Sequence, residues 1–292
     1  MTDEALVPTI SVVIATRDGW SSVGRTIEAL VPQVRAAGGE IVVVDGSGEQ
    51  TPSAEPVRWI SIADRNLLRL RLRAIREARG NVVAIGEDHA VPEPGWCDAV
   101  LRAHAEHPRV PVVVGCLVNA THRTVAGRAN FLAFAAPYSP PMPTLPAGRP
   151  PPVSTLSFKR SALDGLDDTV GRLETEIIPN LYATGQMVAD DRIRFDHYQD
   201  HGLVWSVRNV YSVTRAAYGS SDDRSDPERR KEVARWLITK AVSRHWRDAR
   251  VADGVVHRTR DLAAVAVIVS AVAVGGVVGT YLGPGRAADR IA

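Results

Sequence analysis

Residues 10–17 read ISVVIATR, and residues 40–47 follow the same pattern with EIVVVDGS. Each stretch is a run of apolar, mostly β-branched side chains that ends in polar turn residues. The interval between them has the spacing of a helix over residues 21–37. Continuous apolar runs that alternate with helices are typical of parallel strands covered on both faces. The two stretches therefore predict an α/β fold built on a mostly parallel sheet flanked by helices.

The same alternation continues along the chain. Further strands are predicted at residues 57–62, 82–85 and 110–114, and a helix at residues 65–79 with Gly80 just after its end, where a C′ glycine is common. Ligands of such sheets bind at the carboxyl ends of the strands. We therefore expect the chemistry in the polar residues that directly follow the strands.

The composition limits the classes of protein to consider. With 45% hydrophobic and 23% charged residues among 292, the chain can bury a sizeable core and is not disordered. Its 35 basic residues nearly balance 33 acidic ones, which gives no support for a nucleic acid as the main partner. Two cysteines are too few for a disulfide framework or a structural zinc site. The first ten residues lack the pattern of a signal peptide, so we expect the α/β domain to be cytoplasmic.

The C-terminal part has a different character. Residues 262–282 carry no charge over 21 positions, and about 20 apolar residues are needed to cross a bilayer as a helix. Gly275 and Gly279 form a small-xxx-small pair suited to close helix contact. The segment predicts a helix that spans the cell membrane or associates with its inner face, with a buried or interfacial helix at the end of a soluble protein as the alternative. The expected organisation is a domain over residues 1–220, a charged linker and amphipathic helix over 221–260, and this hydrophobic appendage over 261–283.

Three groups of polar residues follow predicted strands. Thr16 and Arg17 follow the first, Asp45 follows the second, and the triplet Glu87-Asp88-His89 follows the strand at residues 82–85. Three such side chains at the end of an apolar strand are costly to bury unless they are paired or bound to a metal. Carboxylates suit Mg²⁺ or Mn²⁺, and imidazole tolerates Mn²⁺ better. The triplet predicts a divalent-metal site, with a solvated strand-to-loop junction as the alternative.

Together these motifs resemble the family 2 glycosyltransferases, inverting enzymes of the GT-A fold. Residues 10–17 resemble the family's opening strand and nucleotide-contacting turn, and residues 40–47 its second-strand motif, whose aspartate corresponds to Asp45. Residues 80–96 (GNVVAIGEDHAVPEPGW) are similar to its metal-binding strand and loop. The usual Asp-x-Asp is Glu87-Asp88-His89 here, so which of the three holds the metal stays open.

The resemblance extends to about residue 219 and implies further site residues. Residues 71–80 (RLRAIREARG) resemble the helix whose arginine lies near the nucleotide, so the resemblance implies that Arg71 is near the nucleotide. Residues 173–185 resemble the helix that carries the catalytic base. Glu174 takes that place, and Glu176 is a second candidate. Residues 193–197 resemble a short strand ending in a histidine near the diphosphate or its metal, which gives His197.

The resemblance thus implies transfer of a sugar from a nucleoside-diphosphate sugar to an acceptor hydroxyl, with inversion and with Mn²⁺ or Mg²⁺ held by Asp88 and His89. The acceptor is left open between a glycan, a lipid-linked molecule and a small molecule. The remaining implied contacts to the nucleotide sugar come from Thr16, Arg17, Asp45, Arg71, Glu87 and His197.

Three other functions compete with this one. A sugar nucleotidyltransferase would carry a glycine-rich basic loop after the first strand, and residues 15–22 (ATRDGWSS) match such a loop poorly. A nucleotide-binding relative without catalytic activity would account for the altered triplet. A membrane-attached interaction protein would use the hydrophobic tail as its functional part.

Overall fold

The computed structural model describes residues 7–49, 53–121, 124–166, 169–199, 201–251, 259–287 and 290. The chain divides into two compact units. Unit 1 comprises Met1–Val118 and Pro140–Asp196, and unit 2 comprises Asn119–Ser139 and His197–Ala292. Residues 197–220, which the sequence places with the first domain, thus group with the C-terminal helices. Residues 252–258 of the expected linker lie outside the described part of the chain.

Unit 1 is built on one mixed sheet. Its strands are β1 (Ile10–Thr16), β2 (Glu40–Asp45), β3 (Val57–Ser61), β4 (Val82–Gly86), β5 (Ala90–Pro92), β6 (Val112–Asn119), β7 (Leu156–Lys159) and β8 (Met187–His197), in the order β3-β2-β1-β4-β7-β6-β8-β5. The last residues of β6 and β8 are counted with unit 2. The α/β class expected from the sequence is confirmed.

The first four strands in this order form the parallel part of the sheet. β1 pairs in parallel with β2 on one side and with β4 on the other, and β2 pairs in parallel with β3. The central strands are buried almost throughout, which is why their sequences are apolar without alternation. β7 then runs antiparallel to both β4 and β6, so the parallel arrangement ends there.

Three long helices pack in unit 1: α1 (Trp20–Ala36), α2 (Leu67–Glu77) and α3 (Trp96–Glu106). On α1 the buried apolar residues recur at three- and four-residue spacing, as a helix on a sheet requires; they are Val23, Ile27, Leu30 and Val34.

Helix α2 is shorter than predicted at both ends. It starts after Asn66, whose side chain accepts a hydrogen bond from the Arg69 amide and caps the helix, and it stops at Glu77 because Ala78 is extended. The C′ role predicted for Gly80 was wrong. A Cβ at Gly80 would lie 2.5 Å from the Ser11 amide nitrogen, so the glycine serves close packing against β1.

Helix α5 (Ile178–Ala183) also belongs to unit 1, whereas α4 (Val125–Phe134) and α6 (Leu203–Gly219) belong to unit 2. The expected amphipathic helix is present as α7 (Pro227–Trp236) and α8 (Val242–Val251), joined by a π-helical turn at Leu237–Ala241.

The apolar tail forms α9 (Thr259–Leu282), which is long and apolar enough to cross a membrane. Half of its most apolar window is nevertheless buried inside the protein. α9 packs against α6, where a Cβ at Gly275 would lie 2.3 Å from Thr214 Oγ1 and one at Gly279 would lie 2.5 Å from the Arg215 carbonyl oxygen. The small-xxx-small pair therefore serves helix packing within unit 2.

Candidate active site

The carboxyl ends of three strands meet at one edge of the sheet. The parallel register places Thr16 of β1 opposite Asp45 of β2, and Ile14 opposite Gly86 of β4. Thr16 and Asp45 are both fully buried, and Arg17 is also buried. The polar residues predicted from the three strand ends are thus gathered on adjacent strands of unit 1.

Asp88 is the centre of a hydrogen-bond network in the loop after β4. Its Oδ2 accepts from Ser22 Oγ at 2.7 Å and from Thr16 Oγ1 at 3.2 Å. Its Oδ1 lies 2.8 Å from His89 Nδ1. The other ring nitrogen of His89, Nε2, lies 3.6 Å from a carboxylate oxygen of Glu87. The imidazole therefore lies between two carboxylates.

These contacts set the charges of the loop. Burial raises the pKa of Asp88, but the hydrogen bond and charge of His89, with the hydroxyls of Ser22 and Thr16, outweigh it and hold the pKa at about 2. Burial lowers the pKa of His89, but the Asp88 hydrogen bond and the charges of Glu87 and Asp88 raise it to about 9. At neutral pH the loop thus holds an ionised Asp88 beside a protonated His89.

The donor atoms of this triplet suit a divalent ion. Ligand atoms around a small octahedral ion lie about 3 Å apart when each bond is about 2.1 Å. His89 Nε2 lies 3.6 Å from the Glu87 carboxylate, and Asp88 Oδ1 lies 2.8 Å from the other ring nitrogen, so only one of the two carboxylates can share an ion with a given nitrogen of His89. Carboxylates with one imidazole are a donor set that Mn²⁺ accepts. Because His89 is protonated, an ion bound to its ring would first displace a proton.

Asp45 is held in a rigid turn. Its Oδ1 accepts from the Ser47 amide at 2.8 Å and its Oδ2 from Ser47 Oγ at 2.7 Å. A Cβ at the intervening Gly46 would lie 1.9 Å from the Asp64 carbonyl oxygen, so only glycine fits there. Asp45 therefore forms its own turn, as acidic residues often do, at a position opposite Thr16.

The predicted base and the predicted phosphate-binding arginine contact each other. Glu174 lies in a π-helical turn, Leu173–Ile177, and its Oε1 is 2.6 Å from Arg71 Nη1 of α2. Glu176 in the same turn pairs with Arg172 at 2.9 Å. The side chain of Glu174 is 24% exposed and that of Glu176 is 56% exposed. Glu174 also lines a small pocket with residues of α2, including Leu68 and Arg71.

His197 ends β8 and is the first residue of the second segment of unit 2. It is buried, its carbonyl oxygen accepts a hydrogen bond from the Ala120 amide, and its ring centroid lies 6.1 Å from that of Phe131. These contacts are all within unit 2. A role for His197 at the diphosphate stays a prediction.

Two residues of α1 belong to the site and were not predicted. Ser22 binds the Asp88 carboxylate, and Thr26 Oγ1 donates to the Asp88 carbonyl oxygen at 3.3 Å and to the Ala90 carbonyl oxygen at 3.4 Å. A signal for both exists in the sequence, since they are hydroxyl residues in the first turns of the helix that follows β1. That helix begins at the carboxyl edge of the sheet, where ligands bind.

Comparison with known proteins gives a likeness to solved structures. A mannosyltransferase, PcManGT from Pyrobaculum calidifontis, solved in complex with GDP-Man and Mn²⁺, superposes with a TM-score of 0.52 over 92% of this chain and 87% of that one, at 15% identity. The likeness is one of fold. It confirms the GT-A-type architecture predicted from the sequence.

Two other solved structures match less well. TarS of S. aureus, residues 1–349, gives a TM-score of 0.42 at 12% identity over 92% of this chain and 90% of that one. A mycobacterial protein gives 0.45 at 17% identity over 67% and 69%. Neither score is high enough to support an argument. No protein-family model and no curated protein sequence matches the chain.

Proposed function

We propose that the chain transfers a sugar from a nucleoside-diphosphate sugar to an acceptor hydroxyl with inversion, as family 2 glycosyltransferases do. The observation that supports this most is the network at the sheet edge, where Thr16 and Asp88 bond to each other and Asp45 is register-paired with Thr16. The likeness in fold to a mannosyltransferase solved with GDP-Man and Mn²⁺ supports the donor class and the metal.

In this proposal the residues of the sheet edge bind the donor. Asp45, fixed by Ser47, and Thr16 position the nucleoside, and Arg17 lies in the turn beside them. Asp88 and His89, with Glu87 next to them, hold a divalent ion. When bound, such an ion neutralises charge on a diphosphate leaving group.

Glu174 accepts the proton of the acceptor hydroxyl. As that proton moves to the carboxylate, the hydroxyl oxygen bonds to the anomeric carbon, and the bond from that carbon to the diphosphate oxygen breaks with its electron pair leaving on the nucleoside diphosphate. Displacement from the opposite side inverts the anomeric centre. Arg71 orients the base through a charge-assisted hydrogen bond of 2.6 Å. Glu176 is the weaker candidate because its side chain is 56% exposed, against 24% for Glu174.

We also propose that the protein works on the cytoplasmic side of the cell membrane. Helix α9 is apolar and long enough for membrane contact. An acceptor that is lipid-linked, or that belongs to the cell envelope, would be located at the same membrane.

A matched pair of variants tests the base. Glu174→Gln is expected to lower the turnover number by roughly 10²–10⁴-fold, because the proton acceptor is lost while the shape is kept. Glu176→Gln in the same helical turn is expected to leave turnover near the wild-type value. The measurement is release of nucleoside diphosphate from sugar nucleotides, with thermal unfolding as the check that both variants are folded. Normal turnover by Glu174→Gln would contradict the assignment.

A nucleotide-binding protein without transfer activity is the second candidate. It is favoured by one observation, namely that the carboxylates of Asp88 and Glu174 already have partners within the chain. Nucleotide binding by the wild type without consumption of any sugar nucleotide, over a panel of acceptors, would support this second function.

A further inference from the structure

Helix α9 has an apolar surface on its exposed side as well as on its buried side. Val267 is 47% exposed and Val274 is 55% exposed, and Tyr281 follows at the next seven-residue interval. Residues seven apart lie on the same face of a helix. A helix that packs on a soluble core normally presents polar residues to water. The exposed face of α9 is instead suited to an apolar environment.

The neighbouring helix extends this surface. A groove of about 1130 Å³ lies between α6 and α9, both in unit 2, with Val204 and Trp205 on one wall and Val267 and Val274 on the other. Val204 is 67% exposed. We call this feature the α6–α9 groove. A contiguous apolar surface of this kind marks a site of interaction.

The charges around the α6–α9 groove are of one sign. Arg208 of α6 and Arg290 line it, and none of the described residues that line it carries a carboxylate. Arginine can lay its apolar stem along such a surface and direct its guanidinium to the rim. An apolar groove with cations at its rim matches the boundary between acyl chains and anionic headgroups. A symmetric contact with a second copy would instead bring like charges together.

We propose that the α6–α9 groove is a docking surface for an anionic lipid bilayer. The apolar side chains of both helices enter the acyl boundary, and Arg208 and Arg290 contact lipid phosphates. The buried half of α9 stays packed in unit 2, so the helix lies on the bilayer and does not span it. The proposal concerns membrane binding alone and does not depend on the proposed sugar transfer.

Flotation of the full chain with lipid vesicles tests this proposal. Vesicles of phosphatidylcholine mixed with phosphatidylglycerol are expected to carry the wild type upward in a density gradient, and vesicles of phosphatidylcholine alone to carry less of it. The double variant Val267→Asp/Val274→Asp is expected to bind the mixed vesicles at least roughly tenfold more weakly, since aspartate is strongly disfavoured in the apolar boundary. Val7→Asp is the control, because Val7 is 62% exposed but lies in unit 1, and it is expected to float like the wild type.

A separate variant tests the electrostatic contribution to vesicle binding. Arg208→Gln is expected to weaken binding to the mixed vesicles by about fivefold and to leave binding to phosphatidylcholine unchanged. Circular dichroism and thermal unfolding check that every variant is folded.

Several results would overturn the proposal. The wild type could stay at the bottom of the gradient, or the double variant could float as well as Val7→Asp. Resistance of the bound protein to alkaline carbonate extraction would show a spanning helix. A dimer in analytical ultracentrifugation that the double variant abolishes, without flotation of the wild type, would assign the groove to a second copy.

Discussion

The acidic loop of unit 1 and helix α9 of unit 2 depart from the usual distribution of side chains in opposite directions. In the loop, the Asp88 side chain is 22% exposed and its oxygens are bonded to Ser22, Thr16 and His89. In α9, Val267 and Val274 remain exposed. Large polar groups are ordinarily outside and valines inside. The difference shows two kinds of binding surface: a polar loop suited to charged ligands, and a helix face suited to an apolar phase.

A buried histidine elsewhere in unit 1 shows how strongly the carboxylates of the loop raise the pKa of His89. His104 of α3 is buried and its Nε2 lies 2.9 Å from Ser157 Oγ of β7. Burial, with a smaller contribution from the charge of Lys159, lowers the pKa of His104 to about 4. His89 has the opposite shift because its partners are carboxylates. The partner, more than burial, decides which protonation state is stable.

His104 gives the prediction with the largest expected effect. Its folded-state pKa lies below the ordinary value of 6.5, so the unfolded chain binds the extra proton between pH 6.5 and pH 4. Stability is therefore complete above pH 6.5 and falls as the pH drops toward 4, by about 2–3 kcal/mol at pH 4.5. His104→Gln is expected to remove that part of the pH dependence. Urea unfolding at pH 7.5 and pH 4.5 measures it, and equal pH dependence of variant and wild type would contradict the assignment.

The buried half of α9 gives the next prediction. Gly275→Val would place side-chain atoms against Thr214 and the Tyr211 carbonyl oxygen, which a Cβ would already approach to 2.3 Å and 2.5 Å. We expect a loss of about 1–3 kcal/mol in the free energy of unfolding. Ala266→Val, on the exposed face of the same helix, serves as the control and is expected to change it by less than about 0.5 kcal/mol. Equal stability of the two variants would show that α9 does not pack on α6.

A smaller effect is expected from the hydroxyl that orients Asp88. Ser22→Ala removes the hydrogen bond of 2.7 Å to Oδ2. Loss of such a supporting contact typically lowers metal affinity by about 10–100-fold, and we expect about tenfold here since Thr16 still contacts the same oxygen. Ser21→Ala is the matched control, because Ser21 Oγ donates to the Asp18 carbonyl oxygen. Titration with Mn²⁺ measures both, and equal affinities would remove Ser22 from the site.

The parallel part of the fold could be predicted from the sequence. Strands buried on both faces are continuous apolar runs, so β1, β2 and β4 are visible directly. The β8 strand (MVADDRIRFDH) was predicted only over its last five residues, because its first half is charged. Those charges pair with each other and with helix α3, since Arg192 binds Asp190 of the same strand and Glu106 at the end of α3, and only the fold reveals the partner on α3.

The contacts of the candidate site also divide into those that could be predicted from the sequence and those that could not. The Glu87-Asp88-His89 triplet is contiguous, so its contacts were predictable as a local cluster. The pair Arg71–Glu174 joins residues 103 positions apart, and nothing in either segment indicates that the two side chains bind each other. Likewise, the composition of residues 262–282 cannot distinguish a core helix from a membrane helix. Burial on one face and exposure on the other became visible only in the packed unit.

Calorimetric titration of nucleoside diphosphates, with and without Mn²⁺, into the wild type and Asp88→Asn tests the central claim most directly. A panel of UDP, GDP, ADP and CDP covers the common bases. We predict that the wild type binds at least one of them in the presence of Mn²⁺ and much more weakly without it, and that Asp88→Asn loses the Mn²⁺-dependent part. Absence of nucleotide binding by the wild type, or unchanged Mn²⁺-dependent binding by Asp88→Asn, would contradict the account.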